Sequence, residues 1–173
     1  DTMMDALARK GLATIGVGKI SDIFAGRSIS RTLGINKDNV DGMEKTLKLM
    51  DEDFTGLAFV NLVDFDMQYG HRRDIDGYAK ASTVFDRQLG EFMAKMKDDD
   101  LLMITADHGC DPGAPGTDHT REYVPLLMYG KHVKAGLNLG TYPTFAMIGA
   151  TISDMFGADL YTKGESLLPR IIG

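Results

Sequence analysis

The chain predicts an α/β protein, a three-layer sandwich with a mostly parallel sheet. Three observations carry this. Segments of helical period alternate with short apolar runs of strand length, the pattern of helices packed on a parallel sheet. Two of those runs, residues 57–63 (LAFVNLV) and 101–105 (LLMIT), are near-continuously apolar, as strands covered on both faces are. Residues able to bind metal follow both runs directly, at the carboxyl ends where open α/β sheets hold their ligands.

The elements follow in order. Residues 2–10 read as a helix with Met3, Met4, Leu7 and Ala8 on one face and Gly11 as the stop. Residues 14–18 (TIGVG) read as a short strand and 19–34 as turns. A helix is expected over 40–50, where Met43, Leu47 and Met50 recur at helical spacing. After the 57–63 strand comes the longest helix, 76–97, with an apolar stripe from Tyr78 through Val84 and Leu89 to Met96. Asp98, Asp99 and Asp100 make a solvated turn before the 101–105 strand. The loop 106–122 holds five glycines and prolines. Residues 124–129 (VPLLMY) are a third strand, with Pro125 marking a strand start or an edge. Helices over 144–156 and 166–172 complete the chain.

Composition narrows the function. At 173 residues the chain has the length of one domain. A net charge of −6 argues against nucleic acid or a membrane surface as partner. No apolar run reaches the roughly 18 residues of a membrane span, and no basic stretch leads into an apolar one at the start, as in a signal peptide. The single cysteine, Cys110, excludes an internal disulfide and favours a reducing cytoplasm. The chain starts on Asp1 rather than Met, a hint of processing or truncation.

Three of the four histidines fall in two short clusters: Asp66 with His71, and Asp107-His108 followed by Asp118-His119. Carboxylates mixed with imidazoles suit borderline divalent ions, and two such ions about 4 Å apart can clamp a phosphoryl group. Each residue also has an ordinary reading: Asp66 capping a turn, His71 and His119 at the surface, Asp107-His108 as a structural pair. Their joint occurrence at strand ends favours metal. Asp64 either holds the loop or supports a ligand from behind. Cys110 reads as a small buried residue and His132, between Lys131 and Lys134, as surface. Arg72 and Arg73 either contact phosphate or form a solvated helix entry. Residues 16–19 (GVGK) lack Walker A spacing.

Residues 63–66 (VDFD), 69–74 (YGHRRD), 105–112 (TADHGCDP) and 116–122 (GTDHTRE), with 15–24 (IGVGKISDIF), resemble the phosphopentomutase family. This is the prokaryotic, manganese-dependent type within the alkaline phosphatase superfamily. The likeness covers essentially the whole chain and implies an alkaline phosphatase-like core. It implies interconversion of ribose or deoxyribose 1-phosphate with the 5-phosphate, through a phosphorylated threonine and a sugar bisphosphate that also serves as activator. It implies two Mn²⁺: one held by Asp66, His71 and His119, the other by Asp107, His108, a further Asp and the threonine. Lys19 would contact a substrate phosphate. The threonine, the further Asp and the substrate-capping domain have no counterpart here, so residues 1–173 are expected to be one segment of the metal-binding core, partnered by an amino-terminal segment of the same protein. Two other readings stay open: a related metal-dependent phosphotransferase such as cofactor-independent phosphoglycerate mutase, and a non-catalytic metal-binding fragment.

Overall fold

A computed structural model describes all residues, 1–173, in an α/β arrangement. The chain forms two compact units: Asp1–Gly34, Phe54–Phe59 and His132–Gly173 in the first, Ile35–Asp53 and Val60–Lys131 in the second.

In the first unit, helix α1 (Met3–Arg9) starts on a reciprocal capping box. The Thr2 hydroxyl accepts from the Asp5 N–H, and the Asp5 carboxylate accepts from the Thr2 N–H, so two orphan donors are satisfied at once. The same carboxylate accepts from Ser28 Oγ at 2.6 Å and from Arg27 Nε at 2.9 Å. Chiefly through the Ser28 hydroxyl, these bonds hold Asp5 well below the usual carboxylate range. Strand β1 (Ala13–Val17) lies between β2 (Arg31–Thr32) and β3 (Gly56–Val60), and pairs with β2 in parallel. A short helix, α2 (Ile20–Ile23), follows β1. Helix α1 packs on β1 and on α5 (Ala146–Met155), which also touches α6 (Leu168–Ile171). Met4, Leu7, Val17, Leu167 and Ile171 form the fully buried core.

The centre of the sheet differs from the expectation. The buried strand is β1, whereas β3, from the LAFVNLV run, is an edge strand that is half-buried throughout. Hydrophobicity marked it as a strand but not its place in the order. Its start needs Gly56: φ there is 150°, and a Cβ would lie 2.0 Å from the Ala13 carbonyl oxygen.

In the second unit, α3 (Asn39–Leu49) packs on α4 (Ile75–Lys95), and α4 packs on a π-helical turn, Phe65–Gly70. Phe65 anchors that turn, its ring 5.2 Å from Tyr78 and 6.2 Å from Phe85. Strands β4 (Leu102–Thr105) and β5 (Leu126–Tyr129) form a separate antiparallel ladder. β4 was expected as a doubly covered parallel strand; it is half-buried with Thr105 exposed. The intervening segment contains no helix, and a parallel return needs a crossover, usually helical, whereas an antiparallel one does not. No helix is long and apolar enough to cross a membrane.

Candidate metal centre

The centre lies within the second unit. Past β3, the chain turns through Asp64 into the π-turn. Asp64 is buried; its carboxylate accepts from the Asn39 N–H at 2.7 Å, and its own N–H donates to Asn39 Oδ1 at 3.0 Å. It therefore satisfies an orphan donor in the first turn of α3. Of its two readings, the one realised is holding the loop.

Two residues on, Asp66 is half-buried, and its Oδ1 is the focus of the site. His71 Nε2 lies 3.2 Å from it, His119 Nε2 3.3 Å, and Cys110 Sγ donates to it at 3.5 Å. His108 joins from the segment after β4. The ligand atoms of Asp66, His108 and His119 all lie within 4.8 Å of one another. The His108 and His119 rings stack with centroids 3.6 Å apart, and the His71 and His119 centroids are 4.8 Å apart.

Two imidazoles have Nδ1 engaged elsewhere. His71 Nδ1 meets the Thr117 carbonyl in a short contact, and His108 Nδ1 lies 3.0 Å from the Gly109 carbonyl. A neutral imidazole carries one N–H. With Nδ1 donating to a carbonyl, Nε2 presents a lone pair. In His71 that lone pair faces a carboxylate oxygen, acceptor against acceptor. A proton on Nε2 or a bound cation resolves the conflict, and anchoring the far nitrogen to a backbone carbonyl is the usual way of aiming a metal-binding histidine. The donor set of carboxylate and imidazoles fits a borderline divalent ion.

Of the expected ligands, Asp66, His71, His108 and His119 come together. His108 is grouped with Asp66 and His119, across the division the family resemblance implies. The Asp107 side chain is 81% exposed and outside the group of Asp66, His108 and His119, with its Oδ1 3.6 Å from His108 Nε2. Lys19 lies in the first unit, at the carboxyl end of β1 as N-cap of α2. Arg72 and Arg73 are exposed, and Arg72 Nε donates to the Met67 carbonyl at 3.3 Å. His132 is exposed as expected.

Cys110 is half-buried. Burial first, and then its hydrogen bond to Asp66, pushes the thiol up to about 11, so at neutral pH it is a protonated donor rather than a nucleophile. Gly70 makes room for it: a Cβ there would lie 2.0 Å from Cys110 Sγ. Neither this pairing nor the roles of Thr120 and Glu122, described below, follow from sequence spacing. The only signal for the latter two was their place in the GTDHTRE motif.

A polypeptide with this α/β core and this carboxylate-imidazole cluster has the chemistry of a metal-dependent enzyme. Residues 10–160 match the Metalloenzyme superfamily, and the chain belongs to it. Among similar curated proteins, one named phosphopentomutase from Lachnoclostridium phytofermentans is 53% identical over 168 residues, 97% of this chain and 43% of that protein. Another of that name, from Acetivibrio thermocellus, is 52% identical over 171 residues, 99% and 44%. A third, from Carboxydothermus hydrogenoformans, is 54% identical over 158 residues, 91% and 40%. The chain spans less than half the length of these relatives.

Proposed function

We propose that this chain is the metal-ligating segment of a phosphopentomutase core, acting in the cytoplasm on pentose phosphates together with the rest of a longer protein. The observation that carries the metal reading is His71 Nε2 held 3.2 Å from Asp66 Oδ1 with Nδ1 against a backbone carbonyl. The substrate reading is supported by identity of about half of all positions to proteins bearing that name. Asp66, His71 and His119 would hold one Mn²⁺, and Asp107 and His108 would contribute to a second. When bound, such ions supply charge neutralisation on a transferring phosphoryl group. The chain's own part is to aim and anchor its ligands. The nucleophilic threonine and the cap that reads the sugar would lie in the remainder of the protein. Lys19, at a strand's carboxyl end, is the residue proposed for a substrate phosphate. A sugar bisphosphate would prime the enzyme.

Two measurements test this. Calorimetric titration of the chain with Mn²⁺ should show binding that His71→Ala abolishes; full occupancy in that variant would sink the ligand assignment. The full-length protein, given ribose 1-phosphate, Mn²⁺ and a bisphosphate primer, should form ribose 5-phosphate until chelator is added. Turnover of phosphoglycerate instead would overturn the substrate while leaving the metal centre intact.

A further inference from the structure

The two segments that carry His108 and His119 are held together by a strap of side-chain and backbone bonds. Gly109 and Thr120 form an isolated antiparallel bridge, with the Thr120 N–H donating to the Gly109 carbonyl at 3.1 Å. That carbonyl is the one His108 Nδ1 meets. The Thr120 hydroxyl accepts from the Asp111 N–H at 2.8 Å and donates to Glu122 Oε1 at 2.8 Å. Glu122 lies directly over Gly109: a Cβ at Gly109 would sit 2.8 Å from the Glu122 carboxyl and 2.5 Å from the Thr120 carbonyl oxygen. The residues between, 112–118, are mostly exposed and rich in glycine and proline. Their bonds run back to Asp111 and, through the Thr117 carbonyl, to His71 Nδ1.

We propose that Glu122, acting through the Thr120 hydroxyl and its packing on Gly109, is a positioning residue that sets the His108–His119 spacing and so the affinity and geometry of the metal centre. The proposal rests on the metal-centre reading above. Glu122 is not one of the grouped side chains Asp66, His108 and His119. Its carboxylate accepts from Thr120 in one segment and lies against Gly109 in the other, and the hydroxyl it accepts from is the one that accepts from Asp111. Removing one link lets the two segments separate while the ligands themselves remain.

The test uses three variants of the chain. Thr120→Val keeps the shape and removes the hydroxyl; Thr120→Ser keeps the hydroxyl; Glu122→Gln, at an exposed position, leaves an oxygen for Thr120 but turns a charge-assisted bond into a weaker neutral one. Affinities for Mn²⁺ and Co²⁺ are measured by calorimetry, and the geometry is read from the Co²⁺ absorption bands. Thr120→Val and Glu122→Gln should weaken binding about 10- to 100-fold, as loss of supporting partners does at metal sites, and should shift the cobalt bands. Thr120→Ser should restore both. In the metal-free chain, exchange of the Asp111 amide should accelerate in Thr120→Val but not in Thr120→Ser. If Thr120→Val fails to fold, Glu122→Gln alone carries the test. A wild-type chain that binds neither ion would overturn the metal-centre reading and this proposal with it. A wild-type chain that binds, with affinity and cobalt spectrum unchanged in Thr120→Val and Glu122→Gln, would overturn this proposal alone.

Discussion

Gly70→Ala gives the sharpest test of how the centre is packed. Gly70 is buried in the π-turn, and its φ is negative, so alanine meets no backbone penalty there. The obstacle is steric. The new Cβ would lie 2.0 Å from Cys110 Sγ and 3.0 Å from the Phe65 carbonyl oxygen, while the Cys110 Cβ is an ordinary 3.7 Å away. Overpacking of this kind costs about 1–3 kcal/mol, against which alanine's better helix propensity returns up to about 1 kcal/mol. Gly70→Ala should therefore destabilise by about 1–2 kcal/mol. Cys110→Ala alone loses the thiol–carboxylate bond and some packing, about 1 kcal/mol.

The informative quantity is the coupling. In the double variant the sulfur is gone, and only the tight approach to the Phe65 carbonyl remains. The double variant should be more stable than the sum of the singles by about 1–2 kcal/mol. Urea titration of the metal-free proteins reads this as a midpoint recovered toward wild type. Additivity within about 0.5 kcal/mol would show that Cys110 does not occupy the space Gly70 leaves, and the packing account of the site would fail.

Three further outcomes follow from the same structure. Gly56→Ala should lose about 3 kcal/mol or more, since its Cβ would meet the Ala13 carbonyl at 2.0 Å at a φ of 150°; thermal unfolding checks it, and a wild-type midpoint would refute the β1–β3 approach. The Asp5 pKa is lowered in the folded state, so its stabilisation is complete above the ordinary carboxylate range and fades as pH falls through the lower folded value. Asp5→Asn should be less stable at pH 7 and lose less stability than wild type on going from about pH 5 to pH 2; parallel pH profiles would refute it. Asp66→Asn should weaken Mn²⁺ binding by more than the roughly 100-fold limit for supporting partners, because it removes the charge on which His71 and His119 converge; calorimetry showing unchanged affinity would remove Asp66 from the centre.

What sequence could reveal about this molecule depended on the kind of signal. Amphipathic periods located α1, α3 and α4 to within a few residues, because a buried stripe repeats over several turns. The two-residue β2 and the single turn of α2 were missed inside residues 19–34, where no period has room to show. Apolar runs identified β3 and β4 as strands but misjudged their surroundings: neighbours and direction are set by connections the run does not encode. At the site, residue types and strand-end placement were enough to single out Asp66, His71, His108 and His119. Their grouping was not legible. It depends on a bridge between Gly109 and Thr120 and on Cys110 reaching Asp66, contacts made between segments 11 and 44 residues apart in sequence.

The π-turn explains why the Asp66 carboxylate and the His71 imidazole meet although they stand five positions apart in sequence. In an α-helix, residues five apart point about 140° away from each other, and a carboxylate and an imidazole so placed would face different surroundings. Here the chain takes the wider i→i+5 pattern, and its hydrogen bonds include one from the His71 N–H to the Asp66 carbonyl at 3.0 Å. That bond ties the backbones of the two residues whose side chains meet at 3.2 Å. Such turns cost hydrogen-bond regularity and survive mostly where function or packing sustains them. Both supports are visible: Phe65 is wedged against Tyr78 and Phe85 at the start of the turn, and Gly70 at its end lets Cys110 close over it and reach Asp66. The irregular turn is thus part of how the centre is built, since it places the carboxylate and the first imidazole of the cluster on one side of the chain before any residue from the loop after β4 arrives.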